Sequence, residues 1–96
     1  MTPIFYGAWI ARASDGSFVA ELPDFPEISA VGLNQERVAV LASIRLSARV
    51  TALRQQGVAL PIATGVTELL DGCIERHAVA RFLEVRESAR TTNRER

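Results

Sequence analysis

The first third of the chain alternates between runs of β-branched or aromatic residues and short runs of turn-forming residues. Residues 4–11 are the first apolar run, which predicts a strand that is buried on much of both faces. Residues 14–17 follow, where Asp15-Gly16 supplies the positive φ that a tight hairpin turn requires. Residues 18–22 then form the returning strand, so the pattern predicts an antiparallel hairpin.

Two prolines interrupt the chain after this hairpin. Pro23 and Pro26 cannot donate to a strand ladder, so the segment between them is predicted to be an ordered turn or an edge crossing. Residues 28–31 are again apolar or β-branched, and they predict a short third strand that ends at Gly32.

A long helix is predicted between Asn34 and Gly57. Asn34 is a favourable N-cap, and no helix breaker occurs before Gly57, which is suited to a left-handed C-terminal cap. Apolar residues recur along this segment at spacings of four and three, with Ala39 at the edge of the row. This row is suited to pack across a small sheet, and it consists of Val38, Ala42, Leu46, Val50 and Leu53.

The opposite side of the same helix is also apolar. Val40, Leu41, Ile44 and Ala48 form a second row, which is more apolar surface than one sheet can cover. One interpretation is a contact with a second copy or another protein, and the other is a covering loop or helix. We include Val40, Leu41 and Ile44 among the candidate partner-binding residues.

The C-terminal third is less regular. Residues 64–71 are suited to begin a short helix, whereas residues 78–85 contain helix-favouring and strand-favouring residues in nearly equal measure. Residues 87–96 are an Arg-rich tail with one alanine and no larger apolar residue, which predicts disorder. The fold predicted for residues 1–86 is α+β in the order β-β-β-α-β. A small antiparallel sheet carries one long helix, with an optional short helix before the last strand.

Composition narrows the class of protein further. Apolar residues make up 48% of the chain and charged residues 23%, as in ordinary soluble proteins. No run approaches the ~18 apolar residues of a membrane span, and the N-terminus does not resemble a signal peptide. Cys73 is the only cysteine, which excludes an intramolecular disulfide and fits a reducing compartment. We therefore expect a cytoplasmic protein without membrane contact.

Residues that could carry catalysis are scarce. Cys73 and His77 are each the only residue of their type, so they are interpreted as structural, and together they are too few for a zinc site. The glycines form no phosphate-binding loop. A two-metal nuclease needs converging carboxylates, but only Glu21 and Glu84 are candidates on predicted strands. The sequence predicts no catalytic residue, no metal and no cofactor.

The formal net charge is zero, but the charges are unevenly distributed. Arg12 is the only basic residue in the first 36, which contain five acidic residues. The remaining chain contains ten arginines, and lysine is absent. The acidic N-terminal region could bind a basic partner, whereas the Arg-rich C-terminal region could bind nucleic acid. An alternative function is therefore a dimeric nucleic-acid-binding regulator that uses Arg81, Arg86, Arg90, Arg94 and Arg96.

The order of these features resembles the N-terminal domain of the HicB antitoxin family. An aromatic strand, an Asp-Gly hairpin, a Pro-Asp-Phe-Pro turn, a short strand and a long helix follow one another over about residues 4–62. The matching positions are Tyr6, Asp15-Gly16, Phe18-Val19-Ala20, Leu22-Pro23-Asp24-Phe25-Pro26, Gly32, Glu36, Ala42, Gly57 and Pro61. The family commonly has glycine where this chain has Glu27.

The resemblance implies a degenerate RNase H-like domain without catalytic carboxylates. It also implies a partner, because HicB proteins bind and silence HicA, a small basic toxin that cleaves mRNA. Relatives usually add a C-terminal ribbon-helix-helix or helix-turn-helix module that represses the operon, and residues 87–96 are too short for either module.

A toxin-binding surface can be predicted on this basis. Asp15, Asp24 and Glu27 are expected to form an acidic edge that mimics phosphate charge, with Phe25 in the same turn as a further contact residue. Asp24 lies between two prolines, which restrict its backbone and lower the entropic cost of binding. The alternative is that Asp24 only accepts hydrogen bonds from nearby amides and fixes the turn. We also expect a homodimer or a higher homo-oligomer.

Overall fold

The computed structural model describes residues 4–86, which fold into a four-stranded antiparallel sheet and two helices. This arrangement confirms the predicted α+β class, and the sheet order is β3-β2-β1-β4. The predicted disordered tail lies outside the described residues. The elements in chain order are β1 (Phe5–Arg12), β2 (Phe18–Glu21), β3 (Ser29–Gly32), α1 (Gln35–Gln55), α2 (Val66–Arg76) and β4 (Ala78–Glu84).

The first hairpin forms where the sequence predicts it. Arg12 pairs with Phe18, and the loop between them closes with a hydrogen bond from the Ala13 amide to the Ser17 carbonyl. Gly16 adopts a φ of +91°, which residues other than glycine rarely adopt. The Asp-Gly pair thus fixes the position of the turn.

Helix α1 begins and ends at the predicted caps. The Asn34 side chain accepts a hydrogen bond from the Arg37 amide at 2.9 Å, and Gly57 follows the helix with a φ of +73°. The predicted apolar row faces the sheet and is buried, together with Ala39 and Ser47. Across from it lie Tyr6, Ala8 and Ile10, alternate residues of β1 that share one face of the sheet.

Helix α2 covers part of the opposite face of the sheet, which explains why β1 is buried on both sides. Leu69 is fully buried and packs directly on Gly7. The Trp9 indole Nε1 donates to the Leu69 carbonyl at 2.8 Å, and the Arg76 guanidinium stacks over the indole at 3.8 Å. Gly72 lies against the same ring, so α2 approaches the sheet closely only because both contacting positions are glycines.

The two residues interpreted as structural lie at the C-terminal end of α2. Cys73 is buried, as the sequence predicts. His77 ends the helix in the left-handed conformation with a φ of 53°, and its amide bonds to the Ile74 carbonyl. Neither helix within residues 4–86 is long and apolar enough to cross a membrane.

Candidate functional site

The three acidic residues predicted as one edge do not form a single surface. Asp15 lies in the loop between β1 and β2, whereas Asp24 follows the other end of β2. Because a strand rises about 3.3 Å per residue, the length of β2 separates them. The prediction of one acidic edge is therefore wrong, since it ignored that consecutive turns lie at opposite ends of a strand.

Asp15 is exposed, and its hydrogen bonds are local. Its carboxylate accepts from the Ser17 amide at 2.9 Å and from the Ser17 hydroxyl at 2.6 Å. These two bonds favour the charged form and hold the pKa of Asp15 below its usual range. The carboxylate stabilises the hairpin loop and remains ionised at the surface.

Asp24 binds a distant loop rather than nearby amides. Its two carboxylate oxygens accept from the Thr64 amide at 3.0 Å and from the Thr64 hydroxyl at 2.8 Å, 40 residues away in the sequence. The half-buried carboxylate therefore anchors the segment between α1 and α2. This arrangement is closer to the structural alternative for Asp24 than to a free contact residue.

Phe25 is not available to a partner, which corrects its assignment as a contact residue. Its side chain is 2% exposed and meets the Tyr6 ring edge-on, with centroids 4.9 Å apart. Hydrogen bonds from the Phe25 amide to the Leu22 carbonyl and from the Ile28 amide to the Phe25 carbonyl fold the turn inward. A large apolar ring in that position is stabilised by burial in the core.

The same cluster holds the segment that follows α1. The Tyr6 hydroxyl donates to the Pro61 carbonyl at 2.7 Å, close to the Asp24–Thr64 contact. Burial raises the pKa of Tyr6, the Asp24 carboxylate raises it further, and Arg54 opposes the shift. The Pro-Asp-Phe-Pro turn, together with Tyr6, thus forms an internal clamp on the segment that contains Pro61 and Thr64.

Glu27 has a partner on α1. Its carboxylate lies 3.1 Å from the Arg49 Nε, and both side chains are about half exposed. Ion pairs of this kind add little stability, but the adjacent guanidinium reduces the negative potential that Glu27 presents to solvent. The electrostatic role predicted for this turn is correspondingly weakened.

The outer face of α1 brings together the apolar residues predicted to contact a partner. Val40 is 52% exposed and Ile44 is 61% exposed, with Leu41 half-buried beside them. Ala48 continues the row one turn further along the helix. Within residues 4–86 no loop or helix covers this row, although a covering element was one of the two predicted alternatives.

Shallow grooves flank this row on both sides. The groove toward β3 is lined by Val31, Leu33 and Leu41. The groove toward the end of β4 is lined by Ser43, Ser47 and Arg86, and two hydrogen bonds connect α1 to the end of β4 here. The Ser43 hydroxyl donates to the Glu84 carbonyl at 3.1 Å, and the Arg86 amide donates to the Ser47 hydroxyl at 2.7 Å.

Helix α2 carries a second exposed apolar row that the sequence reasoning missed. Val66, Leu70 and Ile74 are 57%, 51% and 76% exposed. Their spacing of four residues is a detectable signal. The sequence predicts that a short helix begins near residue 64 but does not indicate where it ends, so its exposed face is not defined by the sequence alone.

The arginines proposed for nucleic-acid binding are only partly described. The Arg81 Nη2 lies 3.1 Å from the Glu36 carboxylate, and the Arg86 Nη2 lies 4.0 Å from that of Glu84. Arg90, Arg94 and Arg96 lie outside the described residues. Among residues 4–86, no group of three or more histidine, cysteine, aspartate or glutamate side chains is placed to hold a metal ion.

Two solved structures share this architecture. The N-terminal domain of the antitoxin HicB from Burkholderia pseudomallei aligns with a TM-score of 0.75 at 15% identity, covering 86% of this chain and 99% of that chain. This chain has a HicB-like fold. A chain of the HicA3 and HicB3 toxin–antitoxin complex aligns with a TM-score of 0.65 at 20% identity. This alignment also covers 86% of this chain and 99% of that chain. No protein-family model and no curated protein sequence matches the chain.

Several residues that carry the HicB resemblance have structural roles in this HicB-like fold. Gly16 and Gly57 supply positive φ angles at the ends of elements. Asp24 and Phe25 belong to the clamp that holds the segment after α1. These motif residues therefore determine the fold, and none of these roles requires a partner.

Proposed function

We propose that this protein is an antitoxin that binds and neutralises a HicA-type mRNA-cleaving toxin by direct contact, without catalysis of its own. The observation that carries this proposal is the HicB-like fold, which spans 99% of each matched chain. One of those chains belongs to a toxin–antitoxin complex. Exposed apolar rows on both helices support the proposal, since such patches mark protein–protein contacts.

Growth rescue tests this function. A HicA-type toxin, sought as a small basic reading frame next to the gene for this chain, is induced in a bacterial host, alone and together with this chain. We expect growth arrest in the first case and growth in the second, because a bound antitoxin blocks access of mRNA to the toxin. Co-purification of both proteins should accompany rescue. Arrest that persists although both proteins are produced would refute the proposal.

We assign the outer face of α1 to a second copy of this chain. Val40, Ile44 and Ala48 carry no charge, and the adjacent Ser43 and Ser47 are small enough for a second helix to approach closely. Two such rows related by a two-fold axis contact each other through the same residues, as homodimers require. Arg37 and Arg86 also line the grooves beside this row, so the face suits another α1 better than a strongly basic toxin.

Ile44→Asp is expected to convert this dimer to a monomer. The substitution places two carboxylates near the two-fold axis, where they repel each other and lose solvation. Light scattering after size-exclusion chromatography measures the mass, and circular dichroism checks that the fold is retained. A wild-type protein that is monomeric at high micromolar concentration, or a variant that is still dimeric, would contradict the assignment.

A further inference from the structure

We propose that the toxin docks on the α2 surface, which we define as an apolar row of Val66, Leu70 and Ile74 together with an acidic row of Asp71 and Glu75. This inference rests on the proposed function for the basic character of the partner. It goes beyond that function by assigning the surface and the chemistry that recognises the toxin.

Helix geometry places the two rows on the exposed side of α2, with Asp71 next to Ile74 around the helix axis. Successive residues of an α-helix are about 100° apart around its axis. Leu69 faces the sheet and is fully buried, Leu70 is therefore on one flank, and Asp71 lies a further step around toward solvent. Residues three or four apart share a face, so each row extends along the helix. The result is an apolar strip bordered by the Asp71 carboxylate, with the Glu75 carboxylate further around the helix.

The acidic row keeps most of its charge. Arg76 is the only basic residue in α2, and its guanidinium stacks on Trp9 and lies 3.8 Å from the Glu21 carboxylate. It also lies 3.7 Å from the Glu75 carboxylate, which it partly neutralises. Within residues 4–86, no ion pair involves Asp71. The α2 surface is therefore complementary to a basic partner.

The α2 surface is held rigidly on the sheet. Leu69 is buried against Gly7, and the Trp9 indole bonds to the Leu69 carbonyl. A partner that binds the opposite side of α2 therefore does not have to order the helix, which reduces the entropic cost of binding. An exposed row with a carboxylate at its border and a fixed backbone fits the pattern of apolar anchors with a charged rim.

The other acidic positions are less suited to the toxin. Asp24 binds Thr64, and Glu27 lies beside Arg49. Asp15 is exposed but isolated at the far end of the first hairpin, without an adjacent exposed apolar row. Within the described residues, α2 is the helix that combines unpaired carboxylates with large exposed apolar side chains.

Two variants with equal loss of charge test this assignment. Asp71→Asn with Glu75→Gln neutralises two carboxylates of the α2 surface, whereas the control, Asp15→Asn with Glu27→Gln, neutralises two exposed carboxylates elsewhere. Calorimetry measures the affinity of each variant for the HicA-type toxin identified in the growth-rescue experiment, over a series of salt concentrations. We expect the α2 variant to bind about tenfold more weakly at low salt and to depend less on salt. The control should remain within about threefold of wild type.

A third variant tests the apolar row. Leu70→Ala with Ile74→Ala should weaken binding by about tenfold or more at every salt concentration, because it removes apolar contact and no charge. Trp9 is the only tryptophan and lies under α2, so an unchanged fluorescence maximum shows that the helix is still docked. Weakened binding together with a shifted maximum would count against the α2 surface, since the helix would then have moved.

The failure of this inference can be distinguished from that of the proposed function. If wild-type protein binds the toxin and the α2 variants bind it as tightly as wild type, the α2 surface is wrong while the antitoxin function stands. An equal loss of toxin affinity in the α2 variant and the control would also overturn the assignment of the α2 surface, because the change in net charge alone would explain the effect. If wild-type protein does not bind the toxin, the proposed function fails and the assignment fails with it.

Discussion

Leu46→Asp is expected to unfold the protein. Leu46 is fully buried in the middle of α1, where the helix crosses the sheet. The substitution removes apolar contacts worth about 2–5 kcal/mol and buries a carboxylate without a partner, which adds several kcal/mol. A protein of this size is stable by about 5–15 kcal/mol, so the combined loss consumes most or all of that stability.

Ile44→Asp is the matched control for this prediction. It introduces the same side chain two residues away in the same helix, at a position that is 61% exposed. Thermal unfolding followed by circular dichroism should show a cooperative transition for Ile44→Asp and little or no transition for Leu46→Asp. Similar midpoints for both variants would mean that α1 is rotated relative to the sheet from the orientation described.

Gly72→Ala is expected to displace α2 from the sheet. A Cβ atom at this position would overlap Cζ2 of the Trp9 ring, which is rigid and cannot move aside easily. Overpacking of this kind costs about 1–3 kcal/mol, and losing the bond from Trp9 to the Leu69 carbonyl adds about 1 kcal/mol. The higher helix propensity of alanine offsets about 1 kcal/mol of this loss in the free energy of unfolding, so the net change is destabilising.

The measurement is urea unfolding combined with Trp9 fluorescence. Gly72→Ala should lower the midpoint and shift the emission toward that of a solvated indole, whereas Thr67→Ala on the exposed side of α2 should do neither. In a Trp9→Phe background the smaller ring leaves room for the Cβ atom, and Gly72→Ala should then cost much less. An unchanged cost in that background would show that the clash with Trp9 is not the cause.

The elements that sequence analysis predicted well have strong local determinants. Asn34 and Gly57 cap α1 because each satisfies backbone requirements within a few residues. Gly16 places the first turn for the same reason, since few other residues accept its φ. The buried row of α1 was predicted because helical periodicity is determined by spacing alone.

The region after α2 shows where local signals are insufficient. Residues 78–84 balance helix and strand preferences, and they form β4 because β1 offers a free edge for seven paired residues. The hydrogen bonds of that ladder outweigh propensity differences of a few tenths of a kcal/mol per residue. No pattern within the segment itself contains that information.

The errors in the predicted contact surface have the same origin. Asp24 and Phe25 appeared accessible because turns usually lie at the surface, but contacts with Thr64 and Tyr6 draw both residues inward. The acidic positions appeared to form one edge because they are close in sequence, although a strand separates them. The α2 surface was missed because its two rows become visible only when the full extent of the helix is known.

The sequence by itself determined the class of the fold, the caps and inward face of α1, and the scarcity of residues for catalysis, because these depend on spacing and composition. Only the tertiary structure decided which acidic side chains are engaged by partners within the chain and which apolar rows remain exposed. Burial and pairing are properties of residues distant in sequence that meet in space. For this protein, those distant contacts separate the residues that hold the fold from those available to a partner.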